Sequence, residues 1–266
     1  SSGTSGNGDS AINVTGDTDG VIDGSGVTAG NGADTITIDG GTGSGMKDST
    51  LLDSGGGNTI SVSGGTQSLG DSTITLTGNG NNAVTLDGDV NDSEVTALDG
   101  NDTLTVTGAV ASSSIDLGIG LNRATIRGNV ADSALTTGND ADDVTINGAV
   151  TGSEITIGDG ADTLSVESET HALSDSSVTS GNGDSSINMT GDTDGVIDGS
   201  SVTAGNGADT ITIDGGTGRG MQDSTLLDSG GGNTISVRGG TQSLGDSTIT
   251  LPGNGHNAVT LDGDVH

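Results

Sequence analysis

Short runs along the chain alternate between apolar and polar residues with a period of two. Thr103-Leu104-Thr105-Val106 and Thr163-Leu164-Ser165-Val166 place Leu and Val on one side and hydroxyls on the other, the pattern of a half-buried β-strand. A shorter alternation precedes each Gly-rich turn, at Val95-Thr96-Ala97, Ile115-Asp116-Leu117 and Ile155-Thr156-Ile157. A third apolar station follows the next Gly, at Val90, Val110, Val130 and Val150. Two or three short strands per ~20 residues, separated by Gly turns, predict one coil of a parallel β-solenoid. Such a coil buries its inward side chains only when neighbours stack on it. The expected core includes Ile36, Ile38, Leu104, Val106, Val144, Ile146, Leu164 and Val166.

Two periods organise these runs. One polar slot stands just before the strand that follows each Gly turn, and it is filled by Ser10, Asp34, Asn58, Asn82, Asp102, Asn122, Asp142, Asp162, Ser185, Asp209, Asn233 and Asn257. Spacings run 24, 24, 24, 20, 20, 20, 20 and 23, and the series then restarts. Residues 1–91 return almost unchanged at 176–266, an offset of 175 with no insertion or deletion. The chain therefore divides into a first long unit of eight coils, 1–175, and a partial second unit of four, 176–266. The predicted fold is all-β: a single-stranded, continuous parallel β-solenoid (β-helix) of about twelve coils of 20–24 residues. Beginning one unit and stopping partway through the next, it reads as a slice of a tandem array. In the 24-residue coils four residues are added at one corner, so Met46 and Leu69 are expected where Val110 stands in a short coil.

Composition narrows the picture. There is no Phe, Trp, Tyr or Cys, one Pro and 52 Gly. Aromatics usually dominate the core of a domain this long, so Ile, Val, Leu and Ala must build a thin core. Five Lys and Arg against 37 Asp and Glu leave a net charge of −32, which repels nucleic acid and anionic membrane surfaces. No apolar run is long enough to insert in a membrane as a helix, and a targeting signal, if any, is expected elsewhere in a parent chain.

The turns carry the candidate chemistry. Ala29-Gly30-Asn31-Gly32-Ala33-Asp34-Thr35-Ile36-Thr37 resembles the calcium-binding nonapeptide of RTX proteins, Gly-Gly-x-Gly-x-Asp-x-(apolar)-x. Ala97–Thr105 and Ile157–Ser165 match with an apolar first position. The longer frame around Asp99–Val106 is similar to the calcium-binding solenoids of giant secreted bacterial adhesins and extracellular repeat fibres. That resemblance implies Ca²⁺ held at turns bearing Asp34, Asp102, Asp142, Asp162 and Asp209. Carboxylates at strand entrances and turn carbonyls are the oxygen donors a hard cation needs. Ser10, Asn58, Asn82, Asn122 and Ser185 depart from the motif, and Arg123 beside Asn122 argues against an ion there. The other reading of the same residues is a tight turn in which Asp caps backbone N–H groups.

Catalysis finds little support. His171, His256 and His266 are scattered, and His256 and His266 replace Asn81 and Asn91 of the first copy. The expectation is a non-enzymatic segment of an extracellular, cell-surface fibre or adhesin. Its partner would be itself, end to end or side by side, and any surface ligand would be bound by domains outside the segment. The alternative is an ice-binding solenoid displaying outward Thr35/Thr37, Thr103/Thr105 and Thr163/Ser165, a ladder interrupted by Arg123 and Asp143.

Overall fold

The computed structural model describes residues 2–17, 20–192 and 195–266, and every regular element in them is a β-strand. The strands form two compact units, Ser1–Gly128 with Ser133–Gly138 and Asn129–Asp132 with Asn139–His266. The fold is a parallel β-solenoid, with about 11 turns in the two units together.

In the first unit each coil contributes one strand to each of three ladders. One ladder is Ser2–Thr4, Gly26–Ala29, Thr50–Asp53, Thr73–Leu76, Glu94–Ala97, Ser114–Asp116 and Ala134–Thr136, paired parallel in that order. A second joins Ala11–Thr15, Thr35–Asp39, the start of Thr59–Gly70, the start of Ala83–Asn91, Thr103–Val106 and Arg123–Ile126. The third runs through Ile22–Asp23, Ser44–Lys47, the ends of the two long strands, and Val110–Ala111.

The second unit repeats the plan. Glu154–Ile157, Ser177–Ser180, Ser201–Ala204, Thr225–Asp228 and Thr248–Thr250 form one ladder. Asp143–Ile146, Thr163–Glu167, Ser186–Thr190, Thr210–Asp214, Thr234–Gly245 and Ala258–Val265 form another.

Register places like on like. Ile36, Ile60, Val84, Leu104 and Ala124 stack in one inward column, and Ile38, Val62, Leu86, Val106 and Ile126 in the next. All eight residues expected in the core are buried. Because the side-chain period is two, a slip of one residue would turn every one of these outward. The longer coils behave as their length implies. Met46 pairs with Leu69, Leu69 with Val90, and Val90 with Val110. The surplus is absorbed between Ser63 and Gln67, where the pairing with Asp87 and Asp89 shifts register. Glycine is required where coils touch at the turns: Gly120 has φ +130, and a Cβ there would strike the carbonyl of Gly100 in the coil below.

A core one side chain deep has no second layer to absorb a defect. Val106→Asp is therefore expected to unfold the adjoining coils, since an unpaired buried charge costs several kcal/mol. Loss of β-type circular dichroism, or a collapsed urea midpoint, would register it. An unchanged midpoint would place Val106 outside the core.

Candidate functional site

Inward alternation does not stop at the last aliphatic residue. One step before Ile36 and Ile38 in the same phase stands Asp34, and from Asp34 to Asn233 the residue in this slot is buried in every coil. Asp34, Asp102, Asp142, Asp162 and Asp209 are 1–3% exposed. The side chains of Asp34, Asp102, Asp162 and Asp209 each reach the coil before. The backbone N–H of Ser10 donates to Asp34 Oδ1 (2.6 Å), Asp34 N–H to Asn58 Oδ1 (2.8 Å), Asn58 N–H to Asn82 Oδ1 (3.1 Å), Asn82 N–H to Asp102 Oδ1 (2.7 Å) and Asp102 N–H to Asn122 Oδ1 (3.0 Å). In the second unit Asp142 N–H donates to Asp162 (2.9 Å), Ser185 N–H to Asp209 (2.8 Å) and Asp209 N–H to Asn233 (2.8 Å). These bonds carry the inter-coil pairing around a corner where the strand ladder is interrupted.

A second ladder holds another corner. Ser49, Ser72, Ser93, Ser113 and Ser133 each accept the N–H of the corresponding serine one coil earlier, at 3.0–3.2 Å. Ser49, Ser72, Ser93 and Ser113 each donate their own hydroxyl to the carbonyl two residues back. The residue before each serine is left-handed: Asp48, Asp71, Asp92 and Ser112 have φ between 48 and 50, a conformation Asp tolerates better than most residues. This ladder was open to sequence reasoning and was not assigned a role there. Ser49 lies in phase with Leu51, and Ser72 with Ile74, one step before the apolar run, as Asp34 lies before Ile36.

The aspartates differ from the asparagines in one respect. The amide of Asn58 donates to Gly55 O, that of Asn82 to Gly80 O and that of Asn122 to Gly118 O. The matching atom of the aspartates, Oδ2 of Asp34, Asp102, Asp162 and Asp209, is buried with no hydrogen-bond partner. Burial pushes the Asp102 and Asp209 carboxyls above the ordinary carboxylate range. Asp162 is pushed up to about 6, by burial first and by the neighbouring Asp142 and Asp159 charges after it. Two further aspartates join this group, Asp53 and Asp228, which replace the aliphatic residue at an inward station and are fully buried. Asp53 pairs in register with Ala29 on one side and Leu76 on the other. Both carboxyls are raised by burial, Asp53 additionally by the charge of Asp34. The run Thr50-Leu51-Leu52-Asp53 already placed Asp53 inward by its phase.

Of the five aspartates expected to hold an ion, only Asp142 and Asp162 are neighbours in a ladder. Asp34 lies between Ser10 and Asn58, Asp102 between Asn82 and Asn122, and Asp209 between Ser185 and Asn233. Among the described residues no three His, Cys, Asp or Glu side chains gather closely enough to hold a metal ion. What this arrangement does chemically is cap amides, at the cost of unpaired carboxylate oxygens. A bound proton or cation would offset that cost.

The sign of the pH effect follows. A carboxyl raised in the folded state adds stability that is fully present below its unfolded pKa of about 3.8 and lost as pH rises through about 6 for Asp162. Asp162→Asn keeps the Oδ1 acceptor and supplies the donor seen at Asn58, Asn82 and Asn122. It is expected to stabilise the fold at pH 7.5 by on the order of 1–2 kcal/mol after discounting for solvent screening, and to give little gain near pH 4. Urea titrations at the two pH values measure this. A variant less stable than the parent at pH 7.5 without added metal would show that the carboxylate is needed.

Compared with family models, curated proteins and solved structures, the chain matches none of them.

Proposed function

We propose that the chain is a structural segment, the stiff shaft or filament body of a secreted bacterial surface fibre or repeat adhesin, with no catalytic activity and with calcium contributing to its stability. The observation that carries this reading is how the polar side chains are used. Buried serines, asparagines and aspartates are committed to holding one coil on the next. The cleft on one corner is lined by Gly, Ser, Thr and acidic residues, among them Asp39, Ser63, Asp87 and Thr107. Stacked coils whose count sets length, and whose long unit is copied with its corner insertions intact, suit a spacer. No helix among the described residues is long and apolar enough to cross a membrane.

Calcium is supported by the charge of −32 and by the orphaned buried oxygens of Asp34, Asp102, Asp162 and Asp209. With calcium bound, melting temperature should rise with the logarithm of Ca²⁺ concentration. Identical melting in EDTA and in millimolar Ca²⁺ would leave amide capping as the whole role of these residues. For the shaft reading, proteins carrying one, two and three of the 175-residue units should appear in electron micrographs as narrow particles whose length grows in equal steps. Particles of constant length, or turnover of a glycan, would overturn it.

One observation favours ice binding as a second reading. Thr37, Ser61, Thr85, Thr105 and Thr125 stack in register as an outward hydroxyl column, preceded in the first coil by Asn13. The column beside it is broken by Ala83 and Arg123. Thermal hysteresis in a freezing assay, abolished by Thr105→Lys, would establish this reading, and its absence would dismiss it.

A further inference from the structure

One outward stripe departs from the acidic, hydroxylated surface of the first unit. Leu121, Arg123, Thr125 and Arg127 alternate with the buried Asn122, Ala124 and Ile126, so they share the outer side of one coil, and Ile119 stands at the turn just before them. Ile119 is 54% exposed and Leu121 55%, with Leu98 of the coil below at 44%. Their backbones are locked together. Ile119 N–H donates to Leu98 O (2.8 Å), Gly100 N–H to Ile119 O (2.9 Å), and Leu121 N–H to the side-chain oxygen of Asn101 (2.9 Å). Counted from the inward slot, Ile119 stands where other coils carry Asn31, Asn79 and Asp159, Leu98 where they carry Gly30, Gly78 and Gly158, and Leu121 where they carry Ala33, Asn81 and Ala161, so this corner presents three large aliphatic side chains in place of polar or small ones. At the other end of the stripe stand two of the five basic residues in the chain. Lys47, Arg219 and Arg238 lie singly elsewhere, and Arg238 is held by Asp214 and Asp262.

An apolar tip with Arg127 further along the same coil, on a chain of net charge −32, calls for an acidic partner with some apolar surface. The chain itself offers one. Asp48, Asp71 and Asp92, left-handed and exposed at successive coils of the serine corner, form a carboxylate column at the ~4.8 Å spacing of stacked strands. Exposed Leu52 lies four residues beyond Asp48. We infer that the Leu98–Ile119–Leu121–Arg127 stripe is a lateral docking surface for a second copy of this chain, whose Asp48–Asp71–Asp92 edge it receives. Copies that otherwise repel each other are thereby joined side by side through residues 98–127, which occur once in this chain. The contact deepens the filament reading by supplying its lateral bond, and it is tested separately from that reading.

The test is sedimentation velocity of the full chain over a concentration series at 20 mM and 500 mM NaCl. Self-association is expected at 500 mM NaCl, where the repulsion between two copies of net charge −32 is screened, and is expected to be weaker at 20 mM, where that repulsion acts unscreened. Arg127→Glu, and separately Ile119→Ser with Leu121→Ser, should each weaken it at least tenfold while circular dichroism and melting stay unchanged. Replacing Asp48, Asp71 and Asp92 together by Asn, which also tolerates the left-handed conformation, should weaken it to a similar degree. A chain that stays monomeric at all concentrations overturns the inference, as does association untouched by all three sets of variants. Either result leaves the length measurement of the shaft reading standing.

Discussion

The structure depends on backbone amides at its corners finding acceptors in the next coil. Along a strand the parallel ladder satisfies N–H and C=O groups automatically. At a turn the chain changes direction, the ladder breaks, and a buried amide left without an acceptor is costly. Two corners solve this by the same device, a short polar side chain that points inward and accepts the N–H of the equivalent residue one coil earlier. Serine serves at one corner and asparagine or aspartate at the other. Each bond joins a residue to its own counterpart, so the device works only if every coil places that residue at the same point. The repeat in the sequence is the consequence.

The same geometry accounts for the tolerance and the tension of the slot. Asn, Asp and Ser all occur in it, and at Asp34, Asn58, Asn82, Asp102, Asn122, Asp162, Asp209 and Asn233 the side-chain oxygen accepts the N–H of the coil before. Asn58, Asn82 and Asn122 supply a donor for a carbonyl of the turn as well, as do the hydroxyls of Ser10 and Ser185. Asp provides a stronger acceptor, and at Asp34, Asp102, Asp162 and Asp209 it leaves its second oxygen buried without a partner. In a chain of net charge −32 these carboxylates oppose folding at neutral pH unless something neutralises them. Burial raising the Asp53, Asp102, Asp162, Asp209 and Asp228 carboxyls is one expression of that opposition.

Much of this was legible from periodicity. Strand positions, inward stations and the absorption of four extra residues beside Met46 and Leu69 follow from alternation and spacing alone. The Asp slot was legible as a position, and capping of backbone N–H groups was one of its two readings. Its inward direction was present in the phase of Asp34-Thr35-Ile36-Thr37-Ile38, one residue outside the run of apolar side chains that marks a strand. Ser49 and Asp53 were hidden in the same way, since a lone polar residue in the inward phase looks like the end of a strand. Which oxygen of a buried Asp lacks a partner depends on side-chain geometry that no pattern encodes.

Amide hydrogen exchange of the native protein tests the corner ladders most directly. The amides of Ser10, Asp34, Asn58, Asn82 and Asp102 lie outside every strand, yet each is bound to the side chain of the next coil. Those of Asp34, Asn58, Asn82 and Asp102 should exchange as slowly as the strand amides of Ile60 and Leu104, with Ser10 faster because its coil is the outermost of its unit. Exchange of the Asn58 and Asn82 amides at the rate of an exposed loop would mean that the ladders do not hold the coils together.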